Sequence, residues 1–108
     1  MSKLVIAAFF MFLVATGCYD PAKVIVTNGL ENRNIEYVYV SSSSEEEWGT
    51  SNLPNWKVLK PGESQEITVL PDTYDLQAVD QYGETYTIWD IEIDTEDYEW
   101  EVAPSDID

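Results

Sequence analysis

Nine carboxylates in the second half of the chain fall into two groups: Asp72, Asp75, Asp80 and Glu84 around adjoining turns, and Asp90, Glu92, Asp94, Glu96 and Asp97 in a run without a basic residue. Calcium takes roughly six to eight oxygen ligands, and loops gathered at one end of a β-sandwich can supply them. A Ca²⁺ site at Asp72, Asp75, Asp80 and Glu84 is therefore one expectation. Against it, no D-x-[DN]-x-[DN]-G loop occurs, and acids alternating along a strand ordinarily form its solvated face, which is the preferred reading. Trp48, Trp56, Trp89 and Trp100 accompany seven tyrosines. Exposed rings beside carboxylates can grip a sugar, the ring face stacking while the acid binds hydroxyls. Trp89 and Trp100 stand in apolar alternation and are expected in the core; Trp48 and Trp56 flank a loop and are the candidate ligand-binding residues. Paired carboxylates also hydrolyse glycosides when about 5–10 Å apart. In so acidic a chain such pairs arise by chance, and a small domain has little volume for a cleft that excludes water. No enzyme activity is expected, and no cofactor beyond the Ca²⁺ alternative.

Composition narrows the field further. The 108 residues carry 21 acidic and 5 basic side chains, a formal charge of −16, with no histidine and one cysteine. That charge opposes binding to nucleic acid or to anionic lipid through a basic patch. Without histidine there is no Ser-His-Asp or Cys-His catalysis, no His-ligated zinc and no imidazole switch near neutrality. One cysteine permits neither an internal disulfide nor a thiolate zinc site. The charge is also polarised: residues 61–108 hold 15 acids and no base.

The amino terminus reads as an address. Lys3 precedes an unbroken apolar run from Leu4 to Ala15, followed by Thr16, Gly17 and Cys18. Twelve residues at about 1.5 Å each span about 18 Å, short of the roughly 30 Å that a membrane-crossing helix must cover. A positive start, an apolar middle and small residues at a cut site are the parts of an export signal. Val14-Ala15-Thr16-Gly17-Cys18 resembles the lipobox of bacterial lipoproteins. The resemblance covers residues 1–18 and implies cleavage before Cys18 and attachment of lipid to its thiol, with Ala15 standing where the family most often has leucine. Two or three acyl chains, at about 0.8 kcal/mol per buried CH₂, hold a protein on a membrane permanently. Removing residues 1–17 takes away Lys3 and all three phenylalanines, leaving four basic side chains against 21 acidic ones.

The remainder reads as strands, being rich in the tyrosine, tryptophan, valine and isoleucine that suit a pleated, half-buried surface. A tether of residues 18–23 leads to a first strand, Val24 to Thr27, stopped by Asn28-Gly29. Ile35 to Ser41 has apolar residues on both faces and is expected to lie centrally in its sheet. The run Ser41 to Glu47 has little to bury and reads as an exposed loop. A short strand is expected at Trp56 to Leu59, ended by the turn pair Pro61-Gly62. Ser64 to Leu70 and Tyr74 to Asp80 follow, with Gln81-Tyr82-Gly83-Glu84 turning a hairpin. Between Thr85 and Ile93 the apolar phase changes, predicting a bulge or bend near Trp89-Asp90, a place where the strand could change sheets. Tyr98, Trp100 and Val102 close the pattern. About seven strands with turn signals every 8–12 residues or so predict a sandwich.

Asn28, Ile35, Tyr39, Trp48-Gly49, Leu53, Leu59, Pro61-Gly62-Glu63-Ser64, Tyr74-Asp75, Asp80 and Gly83 fall in an order that resembles a family of small, largely uncharacterised exported bacterial β-sandwich domains, over about residues 24–93; Thr73 stands where a glycine is expected. The resemblance implies fold and no catalyst. Together these readings predict an all-β protein: a lipoprotein signal peptide at 1–17, the lipidated Cys18 and tether at 18–23, a single Ig-like or transthyretin-like β-sandwich at 24–103 and a tail at 104–108. The expected function is that of a membrane-anchored, non-catalytic binding or structural module of the cell envelope, with a glycan or an envelope protein as partner and no nucleic acid. The alternatives are a Ca²⁺-dependent carbohydrate-binding or adhesion module and an accessory subunit that pairs through an edge strand. Tyr19 after the cysteine, in place of an inner-membrane retention aspartate, points to the outer membrane where one exists and otherwise to the outer face of the cell membrane.

Overall fold

The computed structural model describes Lys3 and residues 21–108; the rest of the expected signal segment, and Cys18 itself, lie outside the described residues. Six strands form: β1 (Ala22–Asn28), β2 (Ile35–Ser42), β3 (Ser64–Val69), β4 (Asp72–Asp80), β5 (Thr85–Ile93) and β6 (Tyr98–Val102), followed by a 3₁₀ turn at Pro104–Asp106. They make two three-stranded sheets, β3-β1-β6 and β2-β4-β5. The chain passes back and forth between the sheets, and side chains of both fill one core, an all-β arrangement consistent with a sandwich.

Period-two alternation explains the first sheet. In β1, Ala22, Val24, Val26 and Asn28 are buried while the residues between them are exposed or half-buried. Val24 pairs with Ile67 of antiparallel β3, and Val26 pairs with Trp100 of parallel β6. From the second sheet come Ile35, Val38, Leu76, Ala78, Tyr86 and Ile93.

Several expectations are met. Gly62 adopts φ +88° after Pro61, and Glu63 N–H bonds the Lys60 carbonyl at 2.9 Å, as a type II turn requires. Gly83, at φ +82°, serves the β4–β5 hairpin. The predicted bulge is present: Tyr74 pairs with Ile91 but Leu76 pairs with Ile88, so β5 carries one residue more than β4 between these points. Asp90, at φ +57°, is the non-glycine residue with positive φ among those described.

Others are corrected. Among the described residues six strands form rather than about seven, because Trp56 to Leu59 contributes only an isolated bridge between Leu59 and Ile35. The bulge in β5 leaves that strand within one sheet. β2 is an edge strand and β4 the central one. The backbone at the free edge of β2 is satisfied in part without a neighbouring strand, since Asn52 N–H bonds the Val38 carbonyl at 2.6 Å and Asn52 Oδ1 accepts from Val40 N–H at 3.1 Å. The loop thus occupies the edge at Val38 and Val40, where a further strand would otherwise pair. β1 starts at Ala22, inside the expected tether. The tail is docked: Asp106 Oδ2 accepts from Trp100 Nε1 at 3.1 Å and Ala103 N–H at 2.9 Å, and Ile107 bridges Tyr86.

Gly29 marks a close join between the end of β1 and β6. Its N–H donates to the Val102 carbonyl at 2.9 Å, and a Cβ at this position would lie 2.6 Å from that oxygen and 2.7 Å from Glu101 Cγ. Gly29→Ala is expected to cost about 1–2 kcal/mol as the backbone is pushed apart. Thermal melting followed by circular dichroism measures this, and an unchanged midpoint would mean that the two chain segments are not so close.

Candidate functional site

The outward face of the β2-β4-β5 sheet carries an aromatic shelf. Tyr37 and Tyr39 project from β2 on the side opposite Val38, and their rings stack at 6.4 Å between centroids. Trp48, from the loop after β2, lies over this face at 6.1 Å from Tyr39 and 5.7 Å from Trp89 of β5. Tyr37 and Trp89 are exposed, whereas Tyr39 and Trp48 are buried between them. The row therefore offers apolar ring surface to solvent at both ends and is rigid in the middle, as a stacking platform must be.

Two assignments of tryptophans are thereby reversed. Trp48, the expected surface candidate, is 5% exposed; Trp89, expected in the core, is 43% exposed. The cause is where the bulge falls. The extra residue comes after Trp89, so Trp89 stays in phase with Thr85 and Thr87 on the outer face while Ile91 and Ile93 regain the inner one. Trp100 is in the core as expected, and Trp56 is 83% exposed on the loop at 54–57.

Beneath the shelf lies a buried carboxylate. Asp75 faces outward from β4, yet its side chain is 4% exposed. Oδ1 accepts from the Ser43 hydroxyl at 2.7 Å and from Asp90 N–H at 2.9 Å, so the bulge that re-aims β5 also delivers a backbone donor to this acid. Oδ2 is 2.9 Å from the Lys3 ammonium. Burial by itself would raise the Asp75 carboxyl, but the Asp90 N–H, Lys3 and Ser43 outweigh it and hold it below the ordinary value of 3.8. Ser41 to Ser43 are thus no featureless loop: Ser41 is buried, and its hydroxyl donates to the Glu47 carbonyl at 3.1 Å. A serine run in this sequence gives no sign of this, because the partners come from β4 and β5.

The four carboxylates considered for calcium are not brought together. Asp72 and Asp80 begin and end β4, and eight strand steps at about 3.3 Å separate their backbones by about 26 Å, far beyond the reach of a single ion with ligands at about 2.3–2.6 Å. Asp72 accepts from Ser42 Oγ at 3.0 Å. Asp80 is fully buried: Oδ2 accepts from Arg33 Nη1 at 2.8 Å and the Tyr86 hydroxyl at 2.7 Å, while Oδ1 accepts from Tyr82 N–H at 2.9 Å and Glu84 N–H at 3.0 Å. Glu84 takes the same Arg33 nitrogen at 2.8 Å, and the guanidinium lies over the Tyr82 ring at 5.1 Å. Among the described residues no group of three or more acidic, histidine or cysteine side chains is placed to hold a metal ion. Asp90, Glu92, Asp94, Glu96 and Asp97 are all exposed, which is the solvated-face reading of that run.

Burial pushes the Asp80 carboxyl up, but Tyr86, Arg33 and the two N–H groups together bring it down to about 2. Arg33 is in turn raised by Asp80 and Glu84. The network closes the β4–β5 hairpin onto the segment after β1 and borders an open hollow lined by Leu30, Arg33, Tyr86, Pro104 and Ile107. With both lobes of Asp80 occupied, it is a structural clasp rather than a site that offers a free charge to solvent. The chain matches no family model, no curated protein and no solved structure.

Proposed function

We propose that this protein is exported, cut before Cys18 and held on the membrane by lipid on that cysteine, and that its folded part is a non-catalytic binding module. It faces the outside of the cell: on the outer membrane where there is one, otherwise on the outer surface of the cell membrane. The observation that carries the binding reading is the shelf of Tyr37, Tyr39, Trp48 and Trp89 with buried Asp75 beneath it. Rigid rings beside a desolvated charge are the ingredients of recognition. Both buried acids are shifted downward, so neither is tuned as a carboxyl that donates a proton near neutrality. An Ig-like or transthyretin-like sandwich is the finer fold reading, supported by the passage of consecutive strands between two sheets.

The anchor is tested by metabolic labelling with a palmitate analogue in wild type and in Cys18→Ser. The expected result is label in the wild-type chain alone, together with a shift of Cys18→Ser away from the membrane fraction. Equal labelling of both chains would end the anchor reading.

A further inference from the structure

The Lys3 ammonium is held as a ligand is held. Its Nζ donates to Asp75 Oδ2 at 2.9 Å, to the Ser42 carbonyl at 3.1 Å and to Ser41 Oγ at 3.3 Å, and it lies 4.9 Å from the centre of the Trp48 ring. Three acceptors match the three N–H donors of a primary ammonium, and the ring face adds a cation–π contact. Both charged side chains are 4% exposed.

The folded domain prepares this pocket from its own residues. Ser43 and the Asp90 N–H occupy Oδ1 of Asp75, and the Ser41 hydroxyl spends its proton on the Glu47 carbonyl. Asp75 Oδ2, the Ser42 carbonyl and a Ser41 lone pair are what remain to meet the cation. If cleavage falls before Cys18, Lys3 departs with residues 1–17, and Asp75 Oδ2, the Ser42 carbonyl and Ser41 Oγ lose the ammonium they share. An incoming ammonium would meet the same carboxylate, carbonyl, hydroxyl and ring that Lys3 meets, at the same positions.

We propose that in the processed protein this pocket binds a primary alkylammonium group from outside the chain, either the side chain of a lysine or a small free amine, and that Lys3 fills it until cleavage. The inference deepens the binding-module reading and rests on it only for the removal of Lys3. The acidic surface of the domain favours the approach of such a cation.

The test uses the full chain made in detergent as wild type, Lys3→Ala and Lys3→Ala/Asp75→Asn, titrated at constant ionic strength while tryptophan emission is followed. The probes are n-butylammonium, Nα-acetyl-lysine amide and tetramethylammonium, which has no N–H to donate. Lys3→Ala is expected to give a saturable change with one or both of the first two probes. The wild-type chain, already occupied, gives none, and Asp75→Asn weakens the response at least about tenfold. Saturation by the lysine amide assigns the site to a lysine side chain, and saturation by n-butylammonium alone assigns it to a free amine. No saturable change in Lys3→Ala overturns the proposal, as does an equal response to tetramethylammonium, from the wild-type chain or from the Asp75→Asn variant. Binding by Lys3→Ala in a chain that takes no lipid at Cys18 would remove the anchor and keep the pocket; labelling at Cys18 without binding would do the reverse.

Discussion

Asp80→Ala is expected to destabilise the domain by about 2–4 kcal/mol, read from urea denaturation followed by tryptophan emission. The carboxylate has no solvent contact and accepts four hydrogen bonds, from Arg33, Tyr86, Tyr82 N–H and Glu84 N–H. Its removal strands the buried Tyr86 hydroxyl and two backbone donors at the hairpin. The loss falls short of the largest seen for buried pairs because Arg33, 38% exposed, can turn to water and to Glu84. The same site sets an acid limit. The carboxyl titrates at about 2 in the fold against an ordinary value of 3.8, so the folded state holds its proton less tightly than the unfolded chain does. Its contribution is complete above about pH 4 and is lost as pH falls toward 2. Asp75, also shifted downward, acts in the same direction. In Asp80→Ala the decline of stability between these pH values is expected to be shallower than in wild type. A variant within about 0.5 kcal/mol of wild type, with the same acid profile, would show that the clasp does not hold the hairpin.

Asn28→Ala is expected to cost about 2–3 kcal/mol, measured in the same way. Asn28 Nδ2 donates to the Arg33 and Leu59 carbonyls at 2.8 and 2.9 Å, and Oδ1 accepts from Leu30 N–H at 2.8 Å. Its backbone adds the Glu63 carbonyl at 2.9 Å and Gly62 N–H at 2.7 Å. One buried side chain thus bolts the segment 30–33 and the turn at 59–63 onto the end of β1. Alanine leaves the buried Leu30 donor without a partner and removes both ties to the carbonyls. Asn28→Asp keeps the acceptor and loses the two donors, so it is expected to fall below wild type as well. Coincident unfolding curves for wild type and Asn28→Ala would mean that these loops are held by other contacts.

How far the residues alone could be read depended on the range of the interaction. The strands β1, β3, β4 and β6, the Pro61-Gly62 turn and the Gly83 hairpin are governed by neighbours in sequence: alternation, a fixed proline φ and a glycine free to take positive φ. The bulge near Asp90 was legible for the same reason, since a change of apolar phase within one strand can be absorbed in few other ways. Its side was not legible. Whether the extra residue comes before or after Trp89 depends on how β4 pairs, and that choice put Trp89 on the outer face. The strand expected at Trp56 to Leu59 failed because its β-forming residues meet β2 at Leu59 alone. β2 looked central because both its faces are apolar, yet the second face is covered by the Trp48 ring and not by a flanking strand.

The sequence by itself determined that this is an acidic all-β protein without histidine chemistry or disulfides, with a phase break in β5 and a polarised charge, because composition and local periodicity carry those facts. Only the tertiary structure decided what each acid does. Asp75 and Asp80 stand five residues apart on one strand, and nothing local distinguishes them. One points outward into serines, a ring and an ammonium, the other inward to an arginine and a tyrosine, because an odd spacing on a pleated strand sends them to opposite faces, where different segments of the chain converge.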